Sequence, residues 1–211
     1  LILSIMYYYF VLFFTCLHLI SYSQSKYLAS FSSKEIELAN TAHNENYLTE
    51  NEKNIFLILN LVRINPKVFC EAILKSYRPP EGYALDFLED DRYFLSLINE
   101  LLVLTPMNPV LPDKLLWKSA KCHAEDSGKR GYIGHARRGC FLPDVYSECC
   151  SYGFGSAIDI VLQLLIDYEV PNLGHRKILL DFNQKFLGVS VMPHKTYLYN
   201  AVLDLSSVGQ R

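Results

Sequence analysis

The chain carries no Cys-x-x-Cys pair, no His-Glu-x-x-His element and no glycine-rich phosphate loop. Those absences exclude a zinc ribbon, a thioredoxin-like redox site, a one-helix zinc centre and a P-loop. No charge of one sign dominates: 20 Lys+Arg face 22 Asp+Glu, for a net charge of −2. With no basic stripe, a nucleic-acid footprint is excluded. Internal repeats, heptad runs and low-complexity tracts are also missing, which excludes solenoids and coiled coils. What remains, over 211 residues, is room for one domain with a substantial core, or one domain plus an N-terminal extension.

Only one long apolar run is present, from Met6 through Ile20, and the chain turns polar at Ser21-Tyr22-Ser23-Gln24-Ser25. Its length and the small residues after it fit a cleaved secretory signal over 1–25, with Met6 as the expected start. An uncleaved anchor is the alternative reading. No other stretch suits a stable membrane span after cleavage. Cysteine usage fits an oxidising compartment. Cys16 would leave with the signal, and Cys70, Cys122, Cys140, Cys149 and Cys150 stay behind. An odd count leaves at least one free or intermolecular thiol. Cys122 and Cys140 can bridge, and one of the vicinal pair can reach Cys70; spacing does not decide. A Cys122-His123 nucleophile is disfavoured, because neighbours on a helix point about 100° apart.

Residues 26–49 read as a polar linker or pro-segment, with a short helix near 34–39. A helical part follows over 50–110. Thr49-Glu50-Asn51-Glu52 starts a helix carrying Ile55, Ile58, Leu59 and Val62 at helical spacing. Asn65-Pro66 breaks it and opens another. Pro79-Pro80-Glu81-Gly82 reads as a loop, and 92–104 as a further helix. The main domain is expected over 111–211. Asp113 caps a helix with Leu116, Ala120, His123, Ala124 and Ser127 on one stripe. The segment 131–144 is irregular, 156–168 is a strong amphipathic helix, and 173–180 is a short one. Two strands, 185–192 and 196–205, close the chain around a turn at 193–195. Helices followed by a terminal hairpin predict a layered α+β domain.

Imidazoles and carboxylates punctuate this apolar second half. His135 stands in a glycine-flanked segment. Glu148 sits among thiols and hydroxyls. Asp167 lies near a helix C-terminus, where the macrodipole disfavours an acid unless a partner offsets it. His175 follows Gly174 at a turn-to-helix junction. His123 shares the apolar stripe of its helix and reads as a supporting histidine. His18, His43 and His194 fall in the signal, the linker and a turn. The spacings are too long for one helix, so these residues can meet only through the fold.

The order of these segments resembles the CAP superfamily of cysteine-rich secretory proteins, venom antigens and plant pathogenesis-related proteins. The resemblance rests on Ala120-Lys121-Cys122-His123-Ala124, Gly134-His135, a Glu-containing segment, and Val170-Pro171 followed by Gly174-His175-Arg176. Its form is similar to the bacterial and protist branch, through that ending and an opening over 60–69, Asn-Leu-Val-Arg-Ile-Asn-Pro-Lys-Val-Phe. It covers roughly 51–205, most specifically 111–205. The resemblance implies an α-β-α sandwich with a helical N-terminal extension. It also implies a cavity whose His-acid-acid-His tetrad holds a divalent metal, often zinc. By position, His135 and His175 are its histidines, Glu148 its first acid, and Asp167 its second, with Glu169 as substitute. The chain departs from the family's Gly-Glu-Asn, reading Ser147-Glu148-Cys149.

These readings imply a secreted, extracellular binding module. His135 and His175 would be the main metal contacts, Glu148 and Asp167 would orient them, and a lipid, a sterol or an extracellular protein would be the partner. Two rivals stand beside it. One is a metal-dependent hydrolase, peptidase or esterase, with Glu148 as general base; no activated nucleophile accompanies the tetrad, which leans against an enzyme. The other is a structural or adhesive domain with a vestigial cleft.

Overall fold

The computed structural model describes residues 27–80 and 91–210. The expected signal segment 1–25, and the second half of the loop at 79–82, lie outside the described residues. Helices α1 (Ser33–Ala39), α2 (Glu50–Ile64), α3 (Pro66–Ala72) and α4 (Arg92–Val103) come first. Strand β1 (Leu111–Pro112), helix α5 (Lys114–Arg130), strand β2 (Ser147–Tyr152), helices α6 (Ala157–Ile166) and α7 (Gly174–Leu179), and strands β3 (Phe186–His194) and β4 (Leu198–Ser206) follow. The fold of the described residues is α+β, with one sheet in the order β1-β3-β4-β2; β1 runs parallel to β3, and the other pairs are antiparallel. Among the described residues no helix is long and apolar enough to cross a membrane.

Local chemistry sets the helix ends. Thr49 and Glu52 form a capping box on α2, the Thr49 N–H donating to Glu52 Oε2 at 2.8 Å. Such a cap is worth about 1 kcal/mol. The other Glu52 oxygen accepts the Val191 N–H at 3.0 Å, which ties α2 to β3. Asn65 closes α2 and caps α3, with Pro66 in the first turn where its missing N–H costs nothing.

Helices cover both faces of the sheet. Strand residues alternate between faces: Leu187, Val189, Ala201, Leu203 and Leu205 enter the large core made with α2, α3, α4 and α6. Gly188, Val202 and Asp204 face α5. A Cβ at Gly188 would stand 2.0 Å from the Trp117 nitrogen, so only glycine lets α5 lie this close.

Three buried polar side chains brace the loops. Asn60 donates to the Ala39 and Val110 carbonyls and to Thr41 Oγ1, and accepts the Val110 N–H at 2.8 Å. Arg63, wholly buried, donates to the Asn108, Leu179, Asp181 and Gln184 carbonyls. Arg176 donates to the Leu165, Ile166 and Tyr93 carbonyls. A buried acceptor left bare costs about 1–3 kcal/mol, so each of these residues holds several segments in place.

Four expectations need correction. The segment 26–49 is not a free linker: Phe31, Ala39, Ala42 and Leu48 are buried in the large core, and α1 packs on α2. A few apolar anchors outweigh its polar composition. The parts 50–110 and 111–211 share that same core. The sheet has four strands rather than two, since β1 is too short to show a pattern and β2 reads as polar residues and thiols. The hairpin turn falls later than predicted. Strand β3 continues through His194, whose Nδ1 accepts the N–H groups of Thr196 and Tyr197, both at 3.1 Å.

Candidate functional site

Helix α5 ends at Gly131, in left-handed conformation with φ 75°, and an irregular segment then carries His135 back to strand β2. A disulfide between Cys122 on α5 and Cys140 anchors this segment. Cys70 pairs with neither vicinal cysteine. It lies buried with its sulfur near the Ile98 carbonyl, while Cys149 contacts the His175 carbonyl from the opposite sheet face to Cys150. Strand β2 is the sheet edge and presents Glu148 toward His135, whose Nδ1 donates to Glu148 Oε1 at 2.8 Å.

The second pair arises at the α6–α7 junction. Asp167 ends α6 with φ 57°, and its side chain starts α7: Oδ2 accepts the N–H groups of His175 and Arg176, at 3.0 and 3.3 Å. Oδ1 accepts from His175 Nδ1 at 2.7 Å. The unfavourable placement of an acid at one helix C-terminus is thus offset at the next helix's N-terminus. Glu169 is exposed, so Asp167 is the acid that meets His175. Asp167, Glu169 and Leu173 all have positive φ without being glycine. Such residues cost about 1–3 kcal/mol each and cluster at functional sites.

The structure therefore brings His135, Glu148, Asp167 and His175 together as two imidazole–carboxylate pairs, with ring centroids 6.4 Å apart. Each Nδ1 is fixed by its carboxylate, and neither Nε2 has a hydrogen-bond partner among the described residues. A carboxylate on one nitrogen sets the tautomer and raises the basicity of the other, which suits that other nitrogen to a metal. The donor set fits a divalent transition metal better than calcium or magnesium, which take oxygen ligands.

Three residues that sequence reasoning does not single out complete the site. Arg137 bridges two buried acids: Nη2 donates to Glu148 Oε2 and to both Asp204 oxygens, at 2.7 and 2.8 Å for the latter. Ser119 donates to Asp204 at 2.6 Å and accepts from Arg137 Nη1 at the same distance. The available clue is Asp204 itself. A buried acid inside the apolar run Val202-Leu203-Asp204-Leu205 demands a partner. Burial pushes the Asp204 carboxyl up to about 6 despite Arg137 and Ser119. Burial also pushes Glu148 up, but His135, Arg137 and His123 outweigh it and hold that carboxyl below the ordinary glutamate value. In return, the hydrogen bond to Glu148 raises His135 above the usual histidine value. Both Glu148 oxygens are already engaged, and the lowered value makes the carboxylate a weak proton acceptor, so it is poorly placed as a general base.

His123 is wholly buried, as its stripe implies. Its Nε2 donates to the Gly134 carbonyl at 3.0 Å, and its Nδ1 has no hydrogen-bond partner among the described residues. It also belongs to a group that could hold a metal ion: donor atoms of His123, Glu148 and Cys150 lie within 4.8 Å of one another. A scan against protein-family models and a search of curated proteins return no match to this chain.

Proposed function

We propose that this chain is an extracellular binding module of the CAP type, whose cleft holds a divalent metal, zinc, between His135 and His175. One observation carries the reading. Four residues from four separate segments converge as two imidazole–carboxylate pairs, each with its outer nitrogen unpartnered among the described residues. Open zinc sites usually combine three protein ligands with a water; here the two Nε2 atoms supply two nitrogen ligands, and water or a ligand fills the remaining positions. Glu148 and Asp167 orient the rings. Helices on both faces of one sheet support the α-β-α sandwich. The Cys122–Cys140 disulfide supports an oxidising, extracellular setting. The segment that carries His135 also exposes Ile133, Phe141, Leu142 and Val145, apolar groups that suit a lipid or sterol ligand.

Metal analysis and calorimetric titration of the purified chain test the reading. Zinc binding is expected, and the His135→Ala/His175→Ala variant is expected to lose about one equivalent. Unchanged stoichiometry in a folded variant refutes it.

A further inference from the structure

Glu148 borders a second group of donors, which His175 and Asp167 do not enter. Glu148 and Cys150 are two residues apart on β2, so both side chains leave the same face of the sheet. That face is the one α5 covers, and His123 reaches it from the buried stripe of α5. His123 Nε2 is 3.9 Å from Glu148 Oε1 and 3.0 Å from the Gly134 carbonyl oxygen. Cys150 Sγ is 3.8 Å from His135 Nδ1. Nitrogen, carboxylate oxygen and sulfur thus converge within 4.8 Å.

The surrounding charges favour a cation here. Glu148 and Asp204 are both buried acids, and they share one buried guanidinium, Arg137. The two carboxylates leave an excess of negative charge in a space largely shut from water, where an uncompensated charge is costly. His135 meets that excess only from a ring that is 59% exposed.

We propose that His123, Glu148 and Cys150 form a second metal site, one that binds a borderline transition-metal ion of the Zn2+ class through a thiolate. The Gly134 carbonyl or a water completes the coordination. The Gly134 carbonyl now accepts from His123 Nε2 at 3.0 Å and is released from that bond when the nitrogen turns to the ion. On binding, the Cys150 thiol loses its proton to solvent as the sulfur–metal bond forms, and His123 ligates through Nε2 with its proton on Nδ1. Imidazole, carboxylate and thiolate together select Zn2+ or Co2+ over Mg2+ and Ca2+.

Titration of the full chain with Co2+ tests the site, because cobalt–thiolate bonds give an intense charge-transfer absorption that imidazole–carboxylate sites lack. Wild type and His175→Ala are expected to show the band. Cys149→Ser, altered on the opposite face of the strand, keeps it. Cys150→Ser is expected to lose the band while retaining native circular dichroism and the ion at the imidazole pair; Cys150→Ala serves if serine disturbs folding. Cobalt bound by wild type without the band overturns this inference and leaves the imidazole-pair reading intact. A band that persists in Cys150→Ser also overturns it. No cobalt bound at all overturns both.

Discussion

Replacing Arg176 by methionine removes a guanidinium while keeping most of its apolar stem. That side chain is 1% exposed. It donates to the Leu165, Ile166 and Tyr93 carbonyls at 2.6, 2.9 and 2.9 Å, and to Ser96 Oγ at 2.9 Å. Leu165 and Ile166 close α6, and carbonyls in a last helical turn have no partner within the helix. A buried acceptor deprived of its donor costs about 1–3 kcal/mol, so three carbonyls span about 3–9 kcal/mol before relaxation. Water entry and small shifts bring the expected loss to about 4 kcal/mol, near the upper end for one substitution. At about 2–4 °C per kcal/mol for a chain of this size, the melting temperature falls by about 8–16 °C. Glu100 also pairs with Arg176, but its carboxylate is 40% exposed, so Glu100→Gln is expected within about 1 kcal/mol of wild type. Arg176→Lys recovers little, because one ammonium cannot span acceptors on α4 and α6. Thermal and urea unfolding, followed by circular dichroism, measure all three variants. Arg176→Met within about 1 kcal/mol of wild type refutes the reasoning.

Two further outcomes are expected. The Cys122–Cys140 bridge closes a segment with a sequence separation of 18, which is worth about 3 kcal/mol. Cys122→Ser/Cys140→Ser should lose about that much in urea unfolding and bind zinc more weakly, and an unchanged midpoint sinks this account. The His135–Glu148 pair gives the metal-free protein a pH-dependent stability. The histidine's share is full below its ordinary 6.5 and lost as pH rises through its raised folded value. The carboxylate's share is present above its ordinary 4.5 and lost as pH falls through its lowered folded value. The stability difference between wild type and His135→Gln should therefore peak between those ordinary values. A difference that stays flat from about pH 4 to pH 9 argues against the pair.

Helices with strong local signals are legible in the sequence alone. Thr49 and Glu52, Asn65-Pro66, and the cap at Asp113 fall where local chemistry puts them, because capping and proline geometry act over a few residues. Strand β2 is not legible. Its sequence Ser-Glu-Cys-Cys-Ser-Tyr has no apolar alternation, since its two faces meet a charged cluster and a helical core. The four residues of the two pairs can be named from the sequence, but their pairing cannot. Asp167 reaches His175 only because it adopts a left-handed conformation and caps the next helix, and no spacing rule encodes that. Arg137 escapes notice because a lone arginine in a loop reads as surface. Its role appears only when Asp204 is found buried opposite it.

A side chain that bonds to a main-chain oxygen is indifferent to the residue that bears it. Arg63 touches Asn108, Leu179, Asp181 and Gln184 through their carbonyls, and Arg176 holds Tyr93, Leu165 and Ile166 in the same way. Substitution at those positions keeps the donors satisfied wherever the backbone path survives. The arginines themselves have no such latitude. Such a scaffold tolerates wide drift in most of its letters while a few long polar side chains stay indispensable.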